Sequence, residues 1–269
     1  MKNRNIIFIF LCMGMYLFPF LMKAEEKGIL LEGCEAWYYP AKGENAKGKT
    51  VLILPGGGYS YHAMDHEGHD WAPFFNNLGI NVAVLKYKLP EGNLEIPLND
   101  VKQTIQTLQK HSKEWNIDPN CIGIMGFSAG GHLASAYATH SEGDTKPAFQ
   151  ILFYPVISLK PELTHKGSKD LFLGNDQTEE RIKSYSGEEQ VTPTTPPAIL
   201  FHSNDDNGVL PDNSINYYQA LHNNGVSASL HIYPVGGHGW GFREYFPYHD
   251  VMLEELSVWL QNEIIKDKK

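Results

Sequence analysis

Gly126-Phe127-Ser128-Ala129-Gly130 stands directly behind the apolar run Cys121-Ile122-Gly123-Ile124-Met125 and ahead of Gly131-His132-Leu133. A short run of that kind reads as a buried strand, and the small residues after it open a helix. A strand that turns this sharply into a helix holds the residue at the bend in a strained backbone conformation. Only small neighbours let the two elements approach so closely. A serine at the bend has its hydroxyl lifted clear of the sheet, with a helix N-terminus behind it, which is the setting of a nucleophile. In a chain with 25 glycines a G-x-S-x-G pentapeptide also arises by chance. The reading therefore depends on whether a base, an acid and amide donors stand where Ser128 needs them.

The segments on either side supply the frame. Short apolar runs rich in β-branched residues, at 51–54, 82–87, 121–125, 150–154, 198–202 and 230–233, alternate with helical segments. That is the pattern of an α/β fold with a mostly parallel central sheet and helices on both faces. Residues 37–39 predict an early antiparallel edge strand. Leu98, Val101, Ile105, Leu108 and Trp115 recur near helical spacing and predict a helix over 98–115. A second helix is expected over 213–224, stopped by Asn224-Gly225, and a closing helix from Glu244 or Asp250 to residue 265. The polar stretch at about 156–196 follows the strand behind the serine helix. In an open α/β sheet that puts it over the carboxyl ends of the strands, where ligands bind. It is expected to form a short cap, the alternative being a plain surface excursion.

A serine hydroxyl is a poor nucleophile until a base takes its proton. If the order along the chain is nucleophile, acid, base, one of the several orders that serine triads use, only His222, His231, His238 and His249 come late enough. His222 falls within a helix, His231 within the last strand and His249 near the start of the closing helix. His238 alone lies in a loop, where the glycines of Gly236-Gly237-His238-Gly239-Trp240 let an imidazole come down onto Ser128. The acid that orients the imidazole belongs after the preceding strand. Asp205 and Asp206 both stand there, and the residues alone do not choose between them. Backbone donors for an oxyanion are expected from Ala129 and from Pro55-Gly56-Gly57-Gly58-Tyr59, with Gly57 or Gly58 as the second donor. A phosphate-binding loop is the rival reading of those glycines, but neither a G-x-G-x-x-G frame nor a following Lys-Ser/Thr is present.

Four stretches together carry a resemblance: Pro55-Gly-Gly-Gly-Tyr59, Gly126-Phe-Ser-Ala-Gly-Gly-His-Leu133, His202-Ser-Asn-Asp-Asp-Asn-Gly-Val209 and Gly236-Gly-His-Gly-Trp240. They resemble the α/β-hydrolase superfamily, and within it an exported bacterial branch of acetylxylan-esterase-like and dienelactone-hydrolase-like carbohydrate esterases. In that family the acid lies four residues after a histidine and three before a valine, which implies Asp206, between His202 and Val209. Pro55 departs from the histidine of the esterases' H-G-G-G stretch and leaves the donor open between Gly57 and Gly58. The resemblance implies one α/β-hydrolase domain over residues 25–269, with Ser128, Asp206 and His238 as catalytic residues and no cofactor. The implied activity is a serine carboxylic-ester hydrolase that deacetylates plant polysaccharide through an acyl-enzyme. Its substrate would be an acetylated carbohydrate or another small ester. Two alternatives remain. One is a serine exopeptidase of prolyl-oligopeptidase type, for whose usual propeller too few residues precede Val51. The other is a sugar-binding hydrolase fold that has lost activity, against which the complete Ser, Asp, His set argues.

Bulk properties narrow the setting. Lys2 and Arg4 precede an apolar run from Ile6 to Met22, and Ala24 is followed by Glu25-Glu26-Lys27. This predicts a signal peptide over residues 1–24, a secreted or periplasmic protein, and no stable membrane insertion of the mature chain. The formal charge is −9 and becomes −12 without Lys2, Arg4 and Lys23. So acidic a chain is a poor match for nucleic acid or an anionic membrane. Cys34 and Cys121 are expected as free thiols rather than a disulfide. His62, Asp65, His66, Glu67 and His69 cluster without H-E-x-x-H spacing, so no metal site is expected. His132 reads as a packed helix residue. Tyr59 and Trp240 flank the two glycine loops as expected substrate-binding rings, which either stack on a sugar or seal the pocket against water.

Overall fold

Strands buried on both faces read as unbroken apolar runs because helices cover each side of a parallel sheet. The computed structural model describes residues 28–265 except 32, 44, 45 and 47, so the expected signal peptide lies outside the described residues. Eight strands form one sheet: β1 (Ile29–Leu30), β2 (Ala36–Tyr39), β3 (Thr50–Leu54), β4 (Asn81–Leu85), β5 (Ile122–Phe127), β6 (Gln150–Phe153), β7 (Ala198–Ser203) and β8 (Ala228–Tyr233). Their order is β1-β2-β4-β3-β5-β6-β7-β8. β3 to β8 run parallel, while β2 runs antiparallel to β4. β2 is antiparallel as expected but is not the edge, since β1 pairs along its outer side.

Among the described residues seven α-helices surround the sheet: α1 (Ala72–Asn77), α2 (Glu95–Lys110), α3 (Ser128–His140), α4 (Lys166–Leu173), α5 (Glu179–Ser184), α6 (Asp212–Asn223) and α7 (His249–Trp259). Alternate strand residues point to opposite faces. Leu52, Leu54, Leu85, Ile124 and Leu200 pack with α2, α3 and α6. Val51, Ile53, Val84, Met125 and Phe201 pack with α1 and α7 on the other face. A slip of one residue in any inner strand would exchange these two cores, so the register is strongly held. Among the described residues no helix is long and apolar enough to cross a membrane, and Cys34 and Cys121 are free thiols.

Some boundaries differ from the expectation for local reasons. β4 stops at Leu85 because Tyr87 turns to donate its hydroxyl to the Pro55 carbonyl at 2.9 Å. α2 ends at Lys110 and the chain reverses at Asn116, which has φ 51°. The closing helix continues α7 as a π-helical turn over Leu260–Ile265. α1 carries no helical periodicity in the sequence, being only six residues long with Pro73 in its first turn.

The register brings the ends of three strands together. Leu54 pairs with Gly126, and Phe127 with Phe153, so the chain leaves β3, β5 and β6 at one edge of the sheet. The loop of Gly56-Gly57-Gly58 and the turn at Ser128 start from that edge.

Candidate active site

Ser128 has φ 51°, the left-handed region that a non-glycine residue enters only under constraint. The constraint is the close crossing of strand and helix. A side-chain carbon on Gly126 would fall inside the van der Waals shell of the Gly130 carbonyl, and one on Gly130 would strike the carbonyl of Leu54. α3 is rich in Ser, Ala and Gly and is buried from Ser128 to Ala138, so it lies deep against the sheet with its N-terminus at Ser128.

The hydroxyl of Ser128 donates to His238 Nε2 at 2.8 Å, and His238 Nδ1–H donates to Asp206 Oδ2 at 2.6 Å. Asp206 has no exposed side-chain surface, whereas His238 is 30% exposed to the cavity. Asp206 Oδ1 accepts the amides of Gly208 and Val209, both at 2.9 Å. The His202 ring stands beside Oδ2 at 3.3 Å and donates its Nε2–H to the Val209 carbonyl at 2.9 Å. Burial pushes the Asp206 carboxyl up. The bonds from His202 and His238, the His238 charge and the Val209 amide outweigh it, and hold the group well below the usual carboxylate range. Asp205 does something else: its exposed carboxylate accepts the Gly237 amide at 2.8 Å and so anchors the histidine loop.

A cavity of about 810 Å³ opens onto Ser128 and His238, and Gly57 and Gly58 line it. The Gly56 amide is taken by Glu67 Oε2 at 2.8 Å, which leaves the amides of Gly57 and Gly58 as the loop's candidates. Among the described residues neither of these two amides has a protein acceptor. The amide of Ala129 lies in the first turn of α3, where no intrahelical acceptor exists.

Tyr59 and Trp240 correct the expectation of rings facing a substrate. Both are 1% exposed, and neither lines the cavity. The φ of 62° at Tyr59 accompanies a ring turned inward, stacked on Phe172 and donating its hydroxyl to His132 Nδ1 at 2.8 Å. Trp240 stacks on Phe246 at 4.0 Å and donates Nε1–H to Ser203 Oγ at 3.0 Å, which fixes the wall behind His238.

The rest of the site is carried by Glu67, which the sequence offered only as part of a histidine and carboxylate cluster, and by residues that gave no sequence signal. Glu67 accepts the Tyr154 hydroxyl at 2.8 Å, and the Tyr154 oxygen accepts the Gly241 amide at 2.8 Å. The Tyr154 ring meets the His238 ring edge-on at 4.8 Å. Tyr61, 64% exposed, and Arg243 stand on the cavity lining, and the segment containing α4 adds His165, Gly167 and Leu171. Of the histidines of the early cluster, His69 bonds the Tyr39 hydroxyl and His66 bonds Arg243, while His62 Nε2 is buried without a hydrogen-bond partner among the described residues. A serine hydroxyl bonded to an imidazole whose far nitrogen holds a buried carboxylate, on a cavity lined by Gly57 and Gly58, is an arrangement that suits acyl transfer from an ester or amide.

Residues 37–221 match the family model described as BD-FAE. The chain is 44% identical over 223 residues to an acetylxylan esterase of Xylanibacter ruminicola, an alignment that covers 81% of this chain and 46% of that protein. It is 32% identical over 212 residues to endo-1,4-β-xylanase B of Butyrivibrio fibrisolvens, covering 73% of this chain and 33% of that one. The chain thus spans less than half the length of these two curated relatives. Among solved structures, an acetyl ester–xyloside bifunctional hydrolase from Caldicellulosiruptor lactoaceticus superposes with a TM-score of 0.78 at 34% identity, covering 85% of this chain and 87% of that one.

Proposed function

The chain belongs to the BD-FAE family, and on that premise we propose that it is a serine carboxylic-ester hydrolase that removes acetyl groups from plant polysaccharide, xylan first. The observation that carries the reading is the continuous hydrogen-bonded line from buried Asp206 through His238 to Ser128, opening on a cavity lined by Gly57 and Gly58. The names of the relatives, an acetylxylan esterase and an acetyl ester–xyloside hydrolase, support the choice of substrate.

In the proposed reaction Ser128 Oγ attacks the ester carbonyl carbon while His238 Nε2 takes the hydroxyl proton. Asp206 holds the imidazole in the tautomer that leaves Nε2 free to do so. The carbonyl oxygen becomes an oxyanion held by the amides of Ala129 and of Gly57 or Gly58, each donor contributing about 3 kcal/mol in the transition state. Collapse expels the alcohol, which carries away the proton from His238. Water then gives a proton to His238 and attacks the acetyl-serine, releasing acetate and restoring Ser128. Residues 156–196 act as a cap on this site, and residues 1–24 serve as a signal peptide that delivers the enzyme outside the cytoplasm.

The test is acetate release from acetylated xylan and from phenyl acetate by the wild type and by Ser128→Ala. Both esters are expected to be cleaved by the wild type and neither by the folded variant. Turnover by Ser128→Ala would end the serine mechanism. Cleavage of phenyl acetate alone would remove xylan and leave the esterase.

A further inference from the structure

His165 is the N-cap of α4, in the segment that borders the cavity. Its Nδ1 accepts the amide of Ser168 at 3.2 Å and bonds the Ser168 hydroxyl at 2.8 Å. Ser168 is fully buried, and an amide in the first turn of a helix has no acceptor within the helix. The lone pair of Nδ1 is therefore the partner that this amide requires. In a neutral imidazole with Nδ1 accepting, the proton sits on Nε2. Burial holds His165 below the usual histidine range, and the nearby His238 acts in the same direction against the pull of Asp206.

The helix cap thus fixes a single N–H donor on the outer side of the ring. Among the described residues Nε2 has no protein acceptor, and the ring borders the cavity that holds Ser128 and His238. Its Cε1 is the first atom that a side chain built on Gly58 would meet, at 3.8 Å, so the ring edge stands over the glycine loop. Such a donor calls for an oxygen acceptor on the substrate. An acetyl group has one useful acceptor, its carbonyl oxygen, and the amides of Ala129 and Gly57 or Gly58 already suit that atom. The other acceptors near the scissile bond belong to the alcohol.

We propose that His165 is a specificity-determining residue whose Nε2–H donates to a hydroxyl or ring oxygen of the alcohol half of the ester, so that the site selects acetylated polyols and sugars over acetates of apolar alcohols. The proposal rests on the ester-hydrolase reading above. A sugar or polyol oxygen gains this hydrogen bond, worth on the order of tenfold in kcat/KM, whereas beside an apolar alcohol the donor keeps water as its partner and neither gains nor loses. His165 has no part in the proton transfers of Ser128, so an ester whose alcohol half carries no hydroxyl or ring oxygen should hardly notice its replacement.

Two variants separate the contact from the cap. His165→Ser keeps an N-cap oxygen for the Ser168 amide but stops short of the cavity. His165→Asp also caps, with a carboxylate that offers acceptors and no donor. Each is compared with the wild type on a monoacetylated methyl xyloside and on phenyl acetate, both followed by acetate released. Each variant is expected to lose about tenfold or more on the sugar ester, chiefly through KM, and to stay within about twofold on phenyl acetate. Equal losses on both esters, or none on the sugar ester, would overturn the proposal. Absence of wild-type turnover on both esters would instead overturn the hydrolase reading beneath it, and turnover of phenyl acetate alone would overturn the proposal and leave the esterase.

Discussion

The hydroxyl of Tyr154 donates to Glu67 Oε1 at 2.8 Å in the interior. The other oxygen of the same carboxylate holds the Gly56 amide, and the Tyr154 oxygen holds the Gly241 amide. One buried pair therefore joins the glycine loop on one side of Ser128 to the histidine loop on the other. Burial raises the Glu67 carboxyl, and the bonds from Tyr154 and Gly56 work against that rise. Tyr154→Phe leaves the Gly241 amide without its acceptor and Glu67 without one donor. It is expected to cost about 1–3 kcal/mol of stability. Because a misplacement of about 1 Å can cost about 10²-fold in rate, kcat on phenyl acetate should fall at least about tenfold with KM little changed. Steady-state kinetics beside urea unfolding check this. A variant that is destabilised yet turns over at the wild-type rate when folded would reduce the pair to plain structure.

Asp205 and Asp206 divide the work between loop and imidazole. Asp206 bonds His238 Nδ1, while Asp205 bonds only the backbone of that loop, at Gly237. Asp206→Asn no longer fixes the imidazole tautomer and is expected to lower kcat by about 10⁴. Asp205→Asn still offers an oxygen to the Gly237 amide and should cost less than about tenfold, the value of a modest local hydrogen bond. Measuring kcat for the two variants side by side decides it, and a larger loss at Asp205 would reverse the assignment.

The turn at Ser128 was legible because its demands are local: an apolar run, two glycines and a serine leave few other conformations. The parallel sheet was legible for a similar reason, since strands buried on both faces are apolar throughout. Choosing between Asp205 and Asp206 was not a local matter. It depends on His202 standing beside Asp206 and on the amides of Gly208 and Val209 turning toward it. Tyr59 and Trp240 misled because an aromatic beside a catalytic loop looks the same whether its ring faces the cavity or the core. The inward turn of Tyr59 depends on Phe172, far along the chain. His165 gave no signal at all, since a histidine N-cap lacks the pattern that marks Thr178 ahead of α5.

Gly130→Ala tests the strand–helix crossing itself. The added methyl would be driven into the carbonyls of Leu54 and Pro55, both backbone atoms that have no rotamer to escape into. Overpacking of this kind costs about 1–3 kcal/mol and more where backbone must move. The variant should unfold at lower urea than the wild type and, in the fraction that folds, lose activity as Ser128 shifts. A control at Gly225, where φ is 71° but no atom lies within 4 Å of the added carbon, should cost less and leave kcat unchanged.

His132 makes the native state sensitive to acid. It is fully buried, accepts the Tyr59 hydroxyl at Nδ1 and donates Nε2–H to the Tyr185 carbonyl at 2.9 Å. Burial, helped by His140 and opposed by the Tyr185 carbonyl, brings its pKa down to about 4. In the unfolded chain an imidazole titrates near 6.5. Between those values the unfolded state takes up a proton that the native state refuses, so stability falls as the pH drops from about 6.5 toward 4. The gap corresponds to a loss of about 3 kcal/mol once the pH is below the folded value. Protonation would also reverse the Tyr59 bond, with Nδ1–H donating to the phenol oxygen and the hydroxyl proton losing its buried acceptor. His132→Gln has nothing to titrate at this position. Equilibrium urea unfolding at pH 7, 5.5 and 4 should therefore give a wild-type curve that falls more steeply than the variant's by about 3 kcal/mol in total. Two parallel curves would mean that His132 is not the acid-sensitive group.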